Sequence, residues 1–149
     1  MLEDDRAIAL LCRHARYGAP EQARYPAIRA LGKLAGKRAE PPNEILDLLS
    51  QLADEKRFRT EMAVVDALEE TGNPKALAVL ERMEARALDG RLRTRIDDAK
   101  DSIRSGRKQA DEIHQIREDL EALREENRRL VDRLDQWVAT RSEKPSTTP

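Results

Sequence analysis

Residues 65–80 read VDALEETGNPKALAVL, and the junction Thr71-Gly72-Asn73-Pro74 within them is the sharpest local signal in the chain. Glycine takes the left-handed conformation that ends a helix without steric penalty. Asparagine caps the next helix, and proline suits the first turn, where its missing N–H has no partner to lose. Two helices therefore meet here. One spans 58–71 with Phe58, Met62, Val65 and Leu68 as its inward stripe; the other spans 74–88 with Leu77, Leu80, Met83 and Ala87 inward.

The same punctuation extends in both directions. A helix over 4–16 places Ile8, Leu11, Cys12 and Ala15 on one face and ends at Tyr17-Gly18-Ala19-Pro20. A second, over 21–35, turns Ile28, Leu31 and Leu34 inward, with Pro26 either starting its regular part or kinking it. Pro41-Pro42-Asn43 opens a third, whose stripe is Ile45, Leu48, Leu49 and Leu52. After Asp89-Gly90 a sixth carries Leu92, Ile96, Ala99 and Ile103 at spacings of four, three and four. No segment shows the two-residue period of a strand.

Composition agrees with this all-α reading. The 149 residues are 39% hydrophobic, 38% charged and 3% aromatic, so the core is built from Leu, Ile, Val and Ala. A β-sandwich is excluded, because its strands want aromatic and β-branched runs. No apolar run approaches the ~18 residues of a membrane span. Cys12 is the only cysteine, which rules out an internal disulfide and suits a reducing compartment, the cytoplasm. The acidic start, Met-Leu-Glu-Asp-Asp, does not fit a secretory leader, and Leu11 before Cys12 does not fit a lipoprotein site.

The helices also recur as pairs. Ala27–Leu31 (AIRAL), Val64–Leu68 (VVDAL) and Ile96–Lys100 (IDDAK) occupy the same place in successive pairs; Ala30 and Ala67 lie 37 residues apart, Ala67 and Ala99 lie 32 apart. Helix pairs at such a period form an α-solenoid, in which each pair buries its face only against its neighbours. The small alanine is expected where two helices approach closely.

Ala27–Gly36 (AIRALGKLAG) followed by Val65–Leu80 resembles HEAT-type repeats, which commonly carry an "AxxALG…GDPxAL" run; Asn73 stands where that family often has Asp, and the capping logic is kept. The resemblance implies a protein-binding repeat module. Residues 20–139 are also similar to the C-terminal region of some bacterial zinc aminopeptidases of the alanyl-aminopeptidase type, on the residues Leu77–Gly106 with Leu88-Asp89-Gly90-Arg91. That likeness implies an accessory region shaping substrate access or oligomerisation. It carries no peptidase chemistry, because His-Glu-x-x-His occurs nowhere in the chain.

From residue 113 the pattern narrows. With Ile113 at a, the a positions are Ile113, Leu120, Asn127 and Leu134, and the d positions are Ile116, Leu123, Leu130 and Trp137. Alternating threes and fours predict a coiled coil, roughly 37 Å long at 1.5 Å per residue. An Asn at a central a position favours two parallel strands in register, because its amide then meets a second amide rather than Leu. In such a dimer Glu112 faces Arg117 of the other chain and Asp119 faces Arg124, while Val131 and Val138 at e widen the seam. The expected organisation is a repeat domain over 1–106, a coiled-coil helix over 107–139 set off by Ser105-Gly106, and a disordered tail over 140–149.

No residue set carries catalysis. His114 falls on the solvent-facing b position and His14 lies between Arg13 and Arg16, so neither suits a metal, and no cofactor is implied. Charge is uneven, however: 13–38 is net +6, 44–70 net −5 and 91–108 net +4. If the two basic stretches share a face, Arg24, Arg29, Lys33, Arg91, Arg93 and Arg95 form a phosphate-backbone site. The scarcity of aromatic residues for base stacking disfavours nucleic acid. The expected function is a non-catalytic scaffold that binds a protein partner through a short HEAT-like solenoid and dimerises through 112–138.

Overall fold

The computed structural model describes residues 2–143, and the side chains of 5–143. Six helices follow in order: α1 (Leu2–Ala15), α2 (Glu21–Gly36), α3 (Asn43–Leu52), α4 (Phe58–Thr71), α5 (Lys75–Arg86) and α6 (Gly90–Ser142). No strand occurs among the described residues. The fold is all-α, helix pairs in a solenoid followed by a long helix. Two units divide between Lys108 and Gln109.

The α4–α5 junction forms as the sequence predicts. Gly72 sits at φ 58°, and its N–H donates to the Glu69 carbonyl. The Asn73 Oδ1 accepts the Lys75 N–H at 2.9 Å and caps α5. Thr71 adds a second anchor, its hydroxyl donating to the Leu68 carbonyl at 2.6 Å. The same device starts α6, where Asp89 Oδ1 accepts the Arg91 N–H at 2.8 Å. Helix α2 runs through Pro26, which takes the exposed side of the helix.

The core of the repeat unit is one cluster drawn from all six helices. Ile28, Leu31, Ile45, Leu49, Val64, Val65, Leu68, Leu80 and Ile96 are fully covered within it. Its tightest seam joins α2 to α4. A Cβ added at Gly32 would lie 2.6 Å from the Ala67 Cα, and one at Gly36 would collide with the Glu70 carbonyl. The glycines of AIRALGKLAG, one turn apart, thus let two helix backbones touch where any side chain would hold them apart. The expected close contact falls at Gly32 rather than Ala30, which is only half-buried, whereas Ala67 and Ala99 are fully buried.

One buried ion pair braces the first two helix pairs. Arg24 is 2% exposed, donates from Nε to the Ala15 carbonyl at 2.9 Å, and pairs with Glu55 in the α3–α4 connection. The second Glu55 oxygen, Oε2, is buried without a hydrogen bond.

Helix α6 differs from expectation in extent. It continues through Ser105 and Gly106 and on to Ser142, three residues into the stretch read as a tail. Gly106 keeps φ outside the left-handed region. A single glycine costs a helix about 1 kcal/mol, too little to end one flanked by good helix formers on both sides. Residues 144–149 of that tail lie outside the described residues.

Candidate interaction surfaces

In the first part of α6, Leu92, Ile96, Ala99 and Ile103 are buried against the repeat unit. From 113 onward the pattern persists but the cover does not. Ile113, Ile116, Leu120, Leu123, Leu130, Leu134 and Trp137 are between 46% and 64% exposed, and Val131 and Val138 are similarly open. Asn127 lies among them, also exposed. The polar positions pair along the helix, Glu125 with Arg128 and Arg129 at 3.4 Å each, and Arg124 with Glu121 at 3.8 Å. Glu112 and Arg117 have no partner among the described residues, and Asp119 accepts only the Gln115 amide at 3.0 Å.

The six cations considered for phosphate are placed differently from one another. Arg24 is buried in its ion pair with Glu55 and is unavailable to a ligand, so its place in that set is corrected. Arg95 meets Asp66 at 2.9 Å and also pairs with Glu69; Arg29 approaches Asp66 at 3.3 Å. The two basic stretches do converge here, beside Lys33, but on the carboxylates of α4: the acidic block is what brings them together. Arg93 donates to the Ala87 carbonyl at 2.8 Å, and Arg91 pairs with Asp89 at 3.3 Å. The charge asymmetry of the sequence is largely the internal wiring of the helix stack.

Phe58 and Leu88 are among the exposed apolar side chains of the repeat unit. Phe58, expected in the inward face of α4, is 39% exposed, whereas Thr60 in the same turn is fully buried. Leu88, in the α5–α6 connection, is 98% exposed while its neighbour Ala87 is buried. Met62 is partly buried and packs against the core. Two clefts meet at Phe58. One, of about 420 Å³, is lined by Tyr25, Pro26, Arg59 and Met62; the other, of about 630 Å³, by Lys56, Glu61, Leu88 and Arg91. The Arg91 guanidinium lies 5.1 Å from the Phe58 ring centre and covers one face of it. Partial burial pushes the Glu61 carboxyl up, against the pull of Arg86. Periodicity could not reveal this surface, since it assigns Phe58 to a face without saying where the neighbouring helix ends.

The remaining reactive groups are accounted for. Burial pushes the Cys12 thiol up, Glu44 adds to the effect and Arg16 opposes it. A thiol of that kind is a poor nucleophile. No group of His, Cys, Asp and Glu able to hold a metal occurs among the described residues. Among the same residues no helix is long and apolar enough to cross a membrane.

Neither the curated proteins nor the solved structures contain a match, and the likeness to aminopeptidase C-terminal regions gains no support. A model of HEAT repeats matches residues 8–99. That span begins in α1 and ends at Ala99 in α6, so it takes in the whole run of helix pairs with its glycine seam and capped junctions. On that match over more than half its length, the chain belongs to the HEAT repeat family.

Proposed function

We propose that the chain is a non-catalytic protein-interaction scaffold whose HEAT repeat unit serves partners while residues 112–138 join it to a second copy in a parallel two-stranded coiled coil. The observation that carries the pairing is the row of exposed apolar side chains at every a and d position except Asn127. A single-chain helix gains nothing from such a stripe; a matching stripe opposite removes it from water at about 25 cal/mol per Å².

Direction follows from the residues around Asn127. In the parallel register Asn127 meets Asn127, Glu112 meets Arg117 and Asp119 meets Arg124 of the other chain. In the antiparallel register that sets Ile113 against Trp137 and Leu120 against Leu130, Asn127 lies against Leu123. Arg124 then faces Arg124, and Glu126 faces Glu126. Exposed pairs contribute only ~0.2–1 kcal/mol each, so they choose the direction while Leu and Ile supply the affinity.

Sedimentation of the full chain tests this. The wild type is expected at twice the 17.0 kDa chain mass at micromolar concentration, and Leu123→Asp at 17.0 kDa. A wild-type mass of 17.0 kDa at roughly 10 µM defeats the proposal. Asn127→Val is expected to stabilise the assembly by about 1 kcal/mol and to broaden the distribution of masses beyond two chains.

A further inference from the structure

The surface around Phe58 belongs to neither the core nor the coil. Its apolar lining is Tyr25 and Met62 on one side of Phe58 and the projecting Leu88 on the other. Its charged rim is predominantly basic. Arg29, Lys56, Arg59, Arg86 and Arg91 stand against only Glu61 and Asp89. Most of these cations are engaged within the chain, Arg86 with Asp54 at 2.9 Å and Arg91 with Asp89 at 3.3 Å. Lys56 and Arg59 are not: both are exposed, and neither has an ion pair or hydrogen-bond partner among the described residues. The two free cations flank Phe58 in sequence and line the two clefts that meet at its ring, one in each.

We infer that this trough is a docking site for a peptide segment of a partner protein in which apolar anchors alternate with carboxylates. The anchors fill the clefts on either side of Phe58, and the carboxylates answer Lys56 and Arg59. Charge complementarity selects this occupant. A neutral apolar segment leaves the two cations unanswered. A phosphate polymer meets Glu61 and Asp89 within the trough, finds the acidic cluster Asp66, Glu69 and Glu70 beside Arg29, and makes no use of Leu88 or Met62. Aromatic and arginine side chains side by side are also what interface centres are enriched in. The inference rests on the scaffold reading of the repeat unit and is independent of the coiled coil.

The test uses the full chain and a library of fluorescent synthetic peptides of about twelve residues, the length that engages grooves of this kind. Four compositions are compared by anisotropy: acidic–apolar, acidic–polar, basic–apolar and neutral–apolar. The acidic–apolar class is expected to bind saturably. Lys56→Glu with Arg59→Glu is expected to weaken it at least about tenfold, and Phe58→Ser similarly, with helix content unchanged by circular dichroism. Three results overturn the proposal: no class binding at roughly 100 µM, the neutral or acidic–polar class binding equally well, or unchanged affinity in both variants. A single-stranded oligonucleotide or a phosphatidylserine vesicle that binds through Lys56 and Arg59 while the peptides do not overturns it too. Leu123→Asp separates the readings, because it removes the pairing and is expected to leave peptide affinity unchanged.

Discussion

Residues 92–103 and 113–137 lie on one unbroken helix and carry the same apolar spacing, yet Leu92, Ile96, Ala99 and Ile103 are buried and Ile113 to Trp137 are open to water. Spacing by threes and fours says only that a helix has an apolar face. What covers the face is decided elsewhere in the chain. For the first stretch it is the repeat unit's core cluster, to which Leu92, Ile96, Ala99 and Ile103 belong. The second stands about half exposed along its length. The flanking residues differ accordingly. Beside the buried stretch, Arg95 and Lys100 reach carboxylates on α4 and α5; along the exposed stretch, ion pairs run within the helix itself.

That contrast breaks most visibly at Arg24. Arg24→Ala removes the buried guanidinium and leaves the partly buried Glu55 carboxylate, one oxygen of which already lacks a partner, without its counter-charge. Removing one member of such a pair costs about 3–5 kcal/mol. Urea unfolding of the repeat unit should shift by that amount, and the sedimentation mass should stay as it was. A shift under about 1 kcal/mol would show that the pair braces nothing.

A smaller effect is expected at the α2–α4 seam. Gly32→Ala gains about 1 kcal/mol of helix propensity, and its Cβ would lie 2.6 Å from the Ala67 backbone. Backbone cannot step aside as a side chain does, so overpacking prevails and the repeat unit loses about 2 kcal/mol net. Increased stability on thermal unfolding would show that the two helices part easily. Either way the exposed stretch of α6 should not respond, which is the sharper reading of the comparison.

The smallest effect is one of pH. Lys100 Nζ donates to Glu84 at 2.6 Å and lies 3.5 Å from Asp97; these carboxylates raise the ammonium above its ordinary range, Glu84 most, against the opposing effect of burial. A lysine raised on folding stabilises fully below its unfolded pKa, and the gain is lost as pH rises through the folded value. Lys100→Met should therefore lower stability by about 1 kcal/mol at neutral pH and flatten the alkaline limb of the stability profile. An alkaline limb of equal slope in both proteins would assign that loss to other groups.

Much of the fold was legible because its signals are local. Gly72, Asn73 and Pro74 act through their own backbone and side-chain chemistry, and the structure shows the left-handed cap and the Asn73 hydrogen bond there. The stripes Ile45–Leu52 and Leu92–Ile103 are buried as their spacing implies. What depends on distant partners was not legible. Arg24 looked like one more surface cation, since charge counts say nothing of the 31 residues that separate it from Glu55. Phe58 looked like core, since its periodic place is the same whether or not a neighbour reaches it. That the helix runs unbroken through Ser105-Gly106 was not legible either, since a glycine's modest penalty has to be weighed against the helix on both sides.

If the uncovered face of α6 pairs as proposed, chain concentration becomes a variable of structure. On the proposed pairing, apolar burial between 113 and 138 exists only in the associated state, so mass action governs it as a ligand governs a binding site. Dilute chains then differ from concentrated ones in amide exchange along 113–138 and not along 92–103. A cell that changes the amount of this protein would thereby change its valency, and a partner carrying two docking segments would gain avidity only above the pairing threshold.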